Sequence, residues 1–363
     1  MNRKSMRTLA ATAASSALLF GLAACGAGNE SAEADDASDS SLSGTLNGGG
    51  ASSQESAVGA WKQGFQTANP DVTVNYDPVG SGGGREQFIA GGLSFAGSDA
   101  YLEEEELTAA KERCGSDVVS VPVYVSPIAV IYNLDGVEDL QLDAATIGAI
   151  FEGKVTTWDD QAIADLNPDA DLPDTKITPV HRADDSGTTK NFTDYLTAAS
   201  GGTWSGGVVE TWPVKGGEAA DGTSGLVSAV KGGQGTIGYA DASQAGDLGQ
   251  VKVKVGEEFV APTEEAAAKV LDTAEAEAGR AATDIALKID RKTDAAGVYP
   301  VVLVSYQIAC QKYEDAEEAE LVKSWLTYVA GADGQKASEE AAGSAPLSES
   351  FSAKVQTAID TIG

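Results

Sequence analysis

The chain has 363 residues, 42% of them hydrophobic and 22% charged, enough for one large domain or two medium ones with real cores. Acidic residues outnumber basic ones 55 to 24, for a formal net charge of −31, and no long basic run occurs beyond the N-terminus, so nucleic acid is not expected as a partner. A single histidine and the absence of any CxxC pair argue against a zinc or histidine-rich metal site, and neither a metal nor a cofactor is expected.

Residues 1–24 read as a targeting segment. Arg3, Lys4 and Arg7 form a positive start, and the apolar stretch after them is too short and small-sided for a dependable membrane span. It ends in Leu22-Ala23-Ala24-Cys25, which resembles a bacterial lipobox, a signal cut before a cysteine that is then lipidated. A plain secretory signal with an incidental Cys25 is the alternative. Residues 25–42 are rich in Ser, Ala and acids and hold no aromatic, so they cannot bury enough apolar surface to fold and read as a disordered tether.

Beyond the tether, runs rich in Val, Ile and Tyr predict strands at 72–79, 118–133, 176–182, 236–241 and 299–310. Helical spacing predicts helices at 54–67, 84–91, 103–113, 143–151, 187–199, 223–231, 263–279, 317–330 and 351–362. The alternation is an α/β pattern, without internal repeats. The acidic, Ala-rich segment 263–288 reads as a surface helix or two.

Three places combine Gly with Ser or Thr where a strand gives way to a helix: "LNGGGASSQESAVGAW" (46–61), "VGSGGGREQF" (79–88) and "RADDSGTTKNF" (182–192). Glycine lets backbone approach a ligand, and the first amides of a helix lack internal partners at the positive end of its dipole. Each place is a candidate anion cradle, although Ser and Thr are also ordinary helix caps. None is a Walker loop or a dinucleotide fingerprint. In so acidic a chain the global field gives an anion no help, so attraction must be local.

"SFAGSDAYL" (94–102) sets Asp99 in a short polar turn. It either caps the next helix or faces the ligand. A carboxylate repels an anion unless the anion still carries a proton to donate, which phosphate does near neutral pH and sulfate does not. Arg182 is placed for a bidentate oxyanion contact or for an ion pair with Asp184 or Asp185, and Asp184 can orient it while it binds. Cys114 and Cys310 remain after Cys25, and an exported protein meets an oxidising compartment, so a disulfide is expected, with two unpaired buried thiols as the alternative.

Taken in order, "GGGASS", "VGSGGG", "AGSDAYL", "IGAIFEGKVTTWDDQAIADLNP", "VHRADDSGTT" and "GTIGYA" resemble the substrate-binding protein of the bacterial high-affinity phosphate ABC transporter over about residues 43–363. The resemblance implies a two-lobed periplasmic-binding-protein-like α/β fold with hinge-linked lobes, lobe I at 43–132 plus 300–363 and lobe II at 133–299. It implies phosphate contacts from Ser52, Ser53, Ser81 and Asp99 in the first lobe and from Arg182, Ser186, Gly187 and Thr188 in the second, with Asp184 paired to the Arg. Many relatives carry an aromatic and a Pro where this chain has Ser53 and Gln54, some a second Ser at Gly82, and some a Gly at Asp185. The implied protein is a non-enzymatic, monomeric, lipid-anchored lipoprotein on the outer face of the cell membrane that passes inorganic phosphate to permease subunits. A binder of another oxyanion such as sulfate or molybdate is the first rival. A secreted phosphatase is the second, with His181 as its sole imidazole base and no GxSxG elbow.

Overall fold

The computed structural model describes residues 42–363; Cys25, the expected leader and the tether up to Ser41 lie outside the described residues. The main sheet runs in the order Val72–Asp77, Gly44–Gly50, Phe95–Ser98, Val302–Cys310, Val118–Asn133, Thr236–Asp241, Thr178–Arg182 and Glu218–Ala220, with Gly249–Gln250 added beside Val118–Asn133. The first three strands are parallel to one another, and Val302–Cys310 returns antiparallel to them.

Val118–Asn133 is buried at every residue but Asn133, which is why it reads as an unbroken apolar run. It changes partner along its length: up to Pro127 it pairs with Val302–Cys310, and from Ile128 it pairs with Thr236–Asp241. One strand thereby joins two groups of strands. The pairing with Val302–Cys310 shifts register between Ser305 and Tyr306, opposite Tyr124 and Pro122. Proline has no N–H to donate, and the extra residue, Val123, lies on the Val118–Asn133 side of the pairing.

The helices lie where the spacing predicts, within a few residues: Glu55–Ala68, Ser81–Ile89, Glu104–Cys114, Ala144–Phe151, Gly187–Ala199, Gly222–Gly232, Ala316–Ala330 and Glu349–Ile359. Several short elements, among them the strands Phe95–Ser98 and Lys252–Val255 and the helix Gln161–Ala164, are not expected from the sequence, and three longer segments depart from expectation. Gly44–Gly50 is a strand, where the sequence shows chiefly a glycine-rich turn. It is held by parallel ladders on both sides, and at Gly50 (φ 138°) a side chain would overlap the Gly97 carbonyl. The helix expected over 263–279 stops early: Glu264–Ala268 is helical, a 3-10 turn covers Lys269–Asp272, and Glu275–Ala276 pairs with Leu287–Lys288. Ala266, Ala267 and Val270 are buried, and the exposed Glu275 and Ala276 beyond them have no apolar stripe to hold a further turn on the core. The unpredicted helix Ala332–Ala342 buries Gly334, Gln335, Ser338 and Ala342, a small and polar face that hydrophobic periodicity does not reveal. Trp61 Nε1 donates to its Gly334 carbonyl at 2.8 Å.

Two aromatic clusters anchor the core. Phe65 and Phe95 pack on Trp325 at ring distances of 5.5 and 5.6 Å. Phe192 stacks on Tyr239 at 4.3 Å, with Phe151 against both. Burial of each such ring contributes on the order of 1.5–3 kcal/mol. Cys114, at the end of its helix, is bonded to Cys310, at the end of its strand, with Cα atoms 5.4 Å apart, which settles the cysteines as a disulfide. No helix among the described residues is long and apolar enough to cross a membrane.

Candidate functional site

Because Gly44–Gly50, Val72–Asp77 and Phe95–Ser98 are adjacent and parallel, the loops leaving their C-terminal ends emerge side by side at one sheet edge, the usual ligand position in an α/β sheet. Ser52 and Ser53 lie in the 3-10 turn after the first strand, Ser81 opens the helix after the second, and Asp99 comes directly after the third. Arg182 ends the strand Thr178–Arg182, and Ser186 caps the helix Gly187–Ala199 by accepting the Thr189 amide at 3.1 Å. All of these side chains are buried.

Contacts tie the two sets together. Asp99 Oδ1 accepts hydrogen bonds from Ser53 Oγ at 2.7 Å and Ser305 Oγ at 2.6 Å. Its Oδ2 accepts from Ser53 Oγ at 2.8 Å and from Thr188 Oγ1 at 3.1 Å. The Asp99 amide donates to Ser81 Oγ at 3.1 Å, and Asn191 Nδ2 donates to its carbonyl at 2.7 Å. Burial raises the Asp99 pKa above the usual carboxylate value, against the hydroxyls of Ser305, Ser53 and Thr188 and the charge of Arg182, which pull it down. Asp99 does not cap the next helix. That helix begins at Glu104, and Glu103 and Glu106 form its capping box.

Gly187 is one place where the two sets approach closely. A side chain there would run into Ser81 Oγ and Asp99 Cβ. Glycine lets the first turn of Gly187–Ala199 press against the Asp99 loop. The amides of Gly187 and Thr188 lie at the positive end of that helix, where no intrahelical acceptor exists.

Arg182 donates through Nε to Asp184 Oδ1 at 2.6 Å and through Nη2 to Asp184 Oδ2, while its Nη1 reaches Thr223 Oγ1 at 3.4 Å. Burial pushes the Asp184 pKa up, but the hydrogen bonds and charge of Arg182 and the Gly222 amide outweigh it, and the carboxyl titrates below its usual value. Asp185 is exposed and accepts a hydrogen bond from Thr211, so the guanidinium's partner is Asp184. Ser52 Oγ lies 3.0 Å from Thr223 Oγ1 and accepts the Thr223 amide at 3.0 Å. Gln244 Nε2 donates to the carbonyls of Ser52 and Ser53 at 3.0 and 3.3 Å.

The structure thus brings Ser52, Ser53, Ser81, Asp99, Arg182, Ser186, Gly187 and Thr188 to one place, with Asp184 on the Arg. It adds residues that the sequence pattern does not single out. Thr223 opens the helix Gly222–Gly232 in "DGTSG", a fourth Gly/Thr helix start of the kind that marks the others. Ser305 is signalled only as a lone hydroxyl inside "VVLVSYQIAC". Asn191 and Gln244 carry no signal.

The donor and acceptor counts say what the site can hold. A carboxylate has roughly four lone-pair positions, and three hydroxyls occupy all but about one at Asp99. A guanidinium has about five N–H groups, and after Asp184 and Thr223 about two remain on Arg182. The arrangement suits an oxyanion that accepts from Arg182, hydroxyls and helix amides and donates one proton to Asp99. Among the described residues no group of three or more His, Cys, Asp or Glu side chains is arranged to hold a metal ion. His181 stacks on Trp212 at 5.1 Å, and its Nδ1 lies 3.0 Å from the Arg182 carbonyl, so the ring is engaged away from the site hydroxyls.

A family profile described as a PBP superfamily domain matches residues 35–333. The phosphate-binding protein PstS 3 of Mycobacterium tuberculosis is 36% identical over 324 residues, covering 88% of this chain and 86% of the relative. The protein of the same name from Mycobacterium leprae is 34% identical over 330 residues, covering 88% of this chain and 87% of its own. Among solved structures, the fold is similar to that of a high-affinity periplasmic phosphate-binding protein, PfluDING, bound with phosphate: TM-score 0.73, 23% identity, 86% of this chain and 93% of that one. A phosphate-binding protein from Stenotrophomonas maltophilia gives a TM-score of 0.67 at 21% identity, with the same coverage of 86% and 93%.

Proposed function

The chain belongs to the PstS-type phosphate-binding proteins of the PBP superfamily, and from that premise we propose that it captures inorganic phosphate and delivers it to an ABC permease for import, catalysing no reaction of its own. The observation that carries the ligand assignment is Asp99, a buried carboxylate with neutral hydroxyls for partners and about one acceptor position left, bonded to Thr188 in the first turn of the helix Gly187–Ala199. Phosphate carrying a proton makes one more hydrogen bond there. Sulfate sets two acceptors face to face with no proton between them, a heavy penalty in a desolvated site.

In this reading Arg182 binds the anion bidentately while Asp184 orients it, and Ser52, Ser81 and Ser186 donate hydroxyls, the Thr188 hydroxyl being held by Asp99. The amides of Ser53, Gly187 and Thr188 supply the rest, since the Ser186 amide donates to the Glu210 carbonyl. The lobes are 43–132 plus 300–363 and 133–299, and closure between them removes water from the ligand and strengthens each bond. The change of partner along Val118–Asn133 supports a crossing there. The protein works as a monomer outside the cytoplasm, held at the outer face of the membrane by lipid on Cys25.

Calorimetric titration of the purified protein with phosphate and with sulfate tests the proposal. Strong phosphate binding and sulfate binding weaker by orders of magnitude are expected. Comparable affinities, or turnover of a phosphate ester, would contradict it.

A further inference from the structure

A line of buried polar side chains runs from the core to Asp99, and every bond in it has a fixed direction. Trp325 Nε1 donates to Gln307 Oε1 at 3.5 Å, and Gln307 Nε2 donates to Gln54 Oε1 at 2.7 Å. Gln54 Nε2 donates to Ser305 Oγ at 2.5 Å and to the Tyr306 carbonyl at 3.1 Å. Ser305 Oγ then donates to Asp99 Oδ1 at 2.6 Å. All five side chains are buried, Gln54, Ser305, Gln307 and Trp325 completely.

Chemistry sets the direction. An indole N–H only donates, so the oxygen of Gln307 must face Trp325. A backbone carbonyl only accepts, so the nitrogen of Gln54 must face Tyr306 and, with it, Ser305. Both hydrogens of the Gln54 amide are then committed. The Ser305 hydroxyl accepts from Gln54 and has one hydrogen left, for which Asp99 is the acceptor. Were Ser305 to accept from Asp99 through its second lone pair, its own hydrogen would lose the Asp99 acceptor, so the arrangement favours Ser305 as the donor. The Ser305 hydroxyl and the Tyr306 carbonyl, from consecutive residues of one strand, thus meet the same amide.

We propose that Gln54, held by Gln307, is a positioning residue for phosphate selectivity: it locks Ser305 as a donor to Asp99, so that Asp99 stays an unprotonated acceptor reserved for the ligand's proton. The inference rests on the phosphate reading of the site. Gln54 acts through Ser305 and does not itself touch ligand. The balance it tips is a real one, since burial raises the Asp99 pKa while the Ser305 hydroxyl is the first of the groups lowering it.

The test compares wild type, Gln54→Met and Gln54→Glu for phosphate and sulfate binding by calorimetry across the acid-to-neutral range, with folding checked by circular dichroism. Gln54→Met keeps the length of the side chain but frees Ser305 to accept. Gln54→Glu puts an acceptor where the donor was and draws the Ser305 proton away from Asp99. In both, the phosphate-to-sulfate affinity ratio at neutral pH should fall about tenfold or more, the scale of one hydrogen bond to a charged group. Loss of phosphate binding on acidification should also set in at a higher pH than in wild type. Ser305→Ala should reproduce the loss and Ser305→Thr should restore it, and these serve if the Gln54 variants do not fold. A folded Gln54→Met, or failing that a folded Ser305→Ala, with the ratio and pH profile of wild type overturns the proposal while leaving phosphate capture intact. Failure of wild type to prefer phosphate overturns the reading beneath it instead.

Discussion

Asp99 and Asp184 lie in the same site and are treated in opposite ways. Asp184 is clamped by the Arg182 guanidinium and by the Gly222 amide, and its pKa is lowered. Asp99 sits deeper and is held by the neutral hydroxyls of Ser53, Ser305 and Thr188, and its pKa is raised. A carboxylate committed to an Arg has no use for a ligand's proton, whereas one satisfied by hydroxyls alone gains from it. In the proposed reading the loop 182–188 supplies attraction and the Asp99 loop supplies discrimination, although both are rich in the same residue types.

The sharpest break in this comparison is Arg182→Ala. It removes the anion's charged partner and strands Asp184, partly buried, without its counter-ion. Breaking a buried pair from one side costs about 3–5 kcal/mol of folding stability, and binding of phosphate and sulfate should fall together. Denaturant unfolding and calorimetry read the two effects, and a selective loss of one anion would contradict the division of roles.

Opening the Cys114–Cys310 bond is the control. The bond closes a sequence separation of 196 residues. Its loss should lower stability by roughly 2–5 kcal/mol. The phosphate-to-sulfate ratio should not move, since neither cysteine belongs to either loop. A changed ratio would show that selectivity depends on global rigidity.

Gly187→Ala sits between the loops. Its new methyl would overlap Ser81 Oγ and Asp99 Cβ, so phosphate binding should weaken by about 1–3 kcal/mol, the usual range for overpacking. An unaffected affinity would mean that the close approach of the two loops does not matter to the ligand.

The smallest effect concerns pH. Asp241 is a second buried carboxylate held by neutral donors, the Tyr124 hydroxyl at 2.9 Å and the Ser243 hydroxyl at 2.6 Å, and burial pushes its pKa up to about 6. An acid whose folded pKa lies above its unfolded value binds its proton more tightly when folded. Its contribution therefore falls as pH rises from about 4 towards 6. Asp184, with its folded pKa lowered, contributes in the opposite sense: its stabilisation is present above the unfolded value and is lost as pH falls through the folded one. Asp241→Asn should flatten the stability profile between about pH 4 and 6, measured by urea unfolding. An unchanged slope would remove the parallel with Asp99.

Part of this is legible in the sequence because it depends on short-range pattern. Val118–Asn133 and Val302–Cys310 are apolar runs, and the Gly/Ser/Thr helix starts announce themselves within a few residues. Asp99 can be placed from sequence but not interpreted, since capping and ligand binding differ only in where the next helix begins. Gly44–Gly50 is hidden because its conformation is set by neighbours on both sides and not by its own β propensity. The 263–279 stretch misleads because its Ala and Glu favour a helix that has no core to lie on past Val270. Ser305 and Gln307 are more than 200 residues from Asp99 and Gln54, and only the fold brings them together. A buried polar network has no period, so no local reading finds it.

The most direct test of phosphate recognition is the phosphate-to-sulfate affinity ratio of Asp99→Asn, measured by calorimetry beside wild type. The amide keeps the shape of the carboxylate and can turn a donor toward the anion. Sulfate is predicted to gain on phosphate by roughly 10–100-fold, the range for a hydrogen bond to a charged group, while phosphate itself still binds. A ratio equal to that of wild type would mean that Asp99 takes no proton from the ligand, and the assignment of phosphate to this site would lose its physical basis.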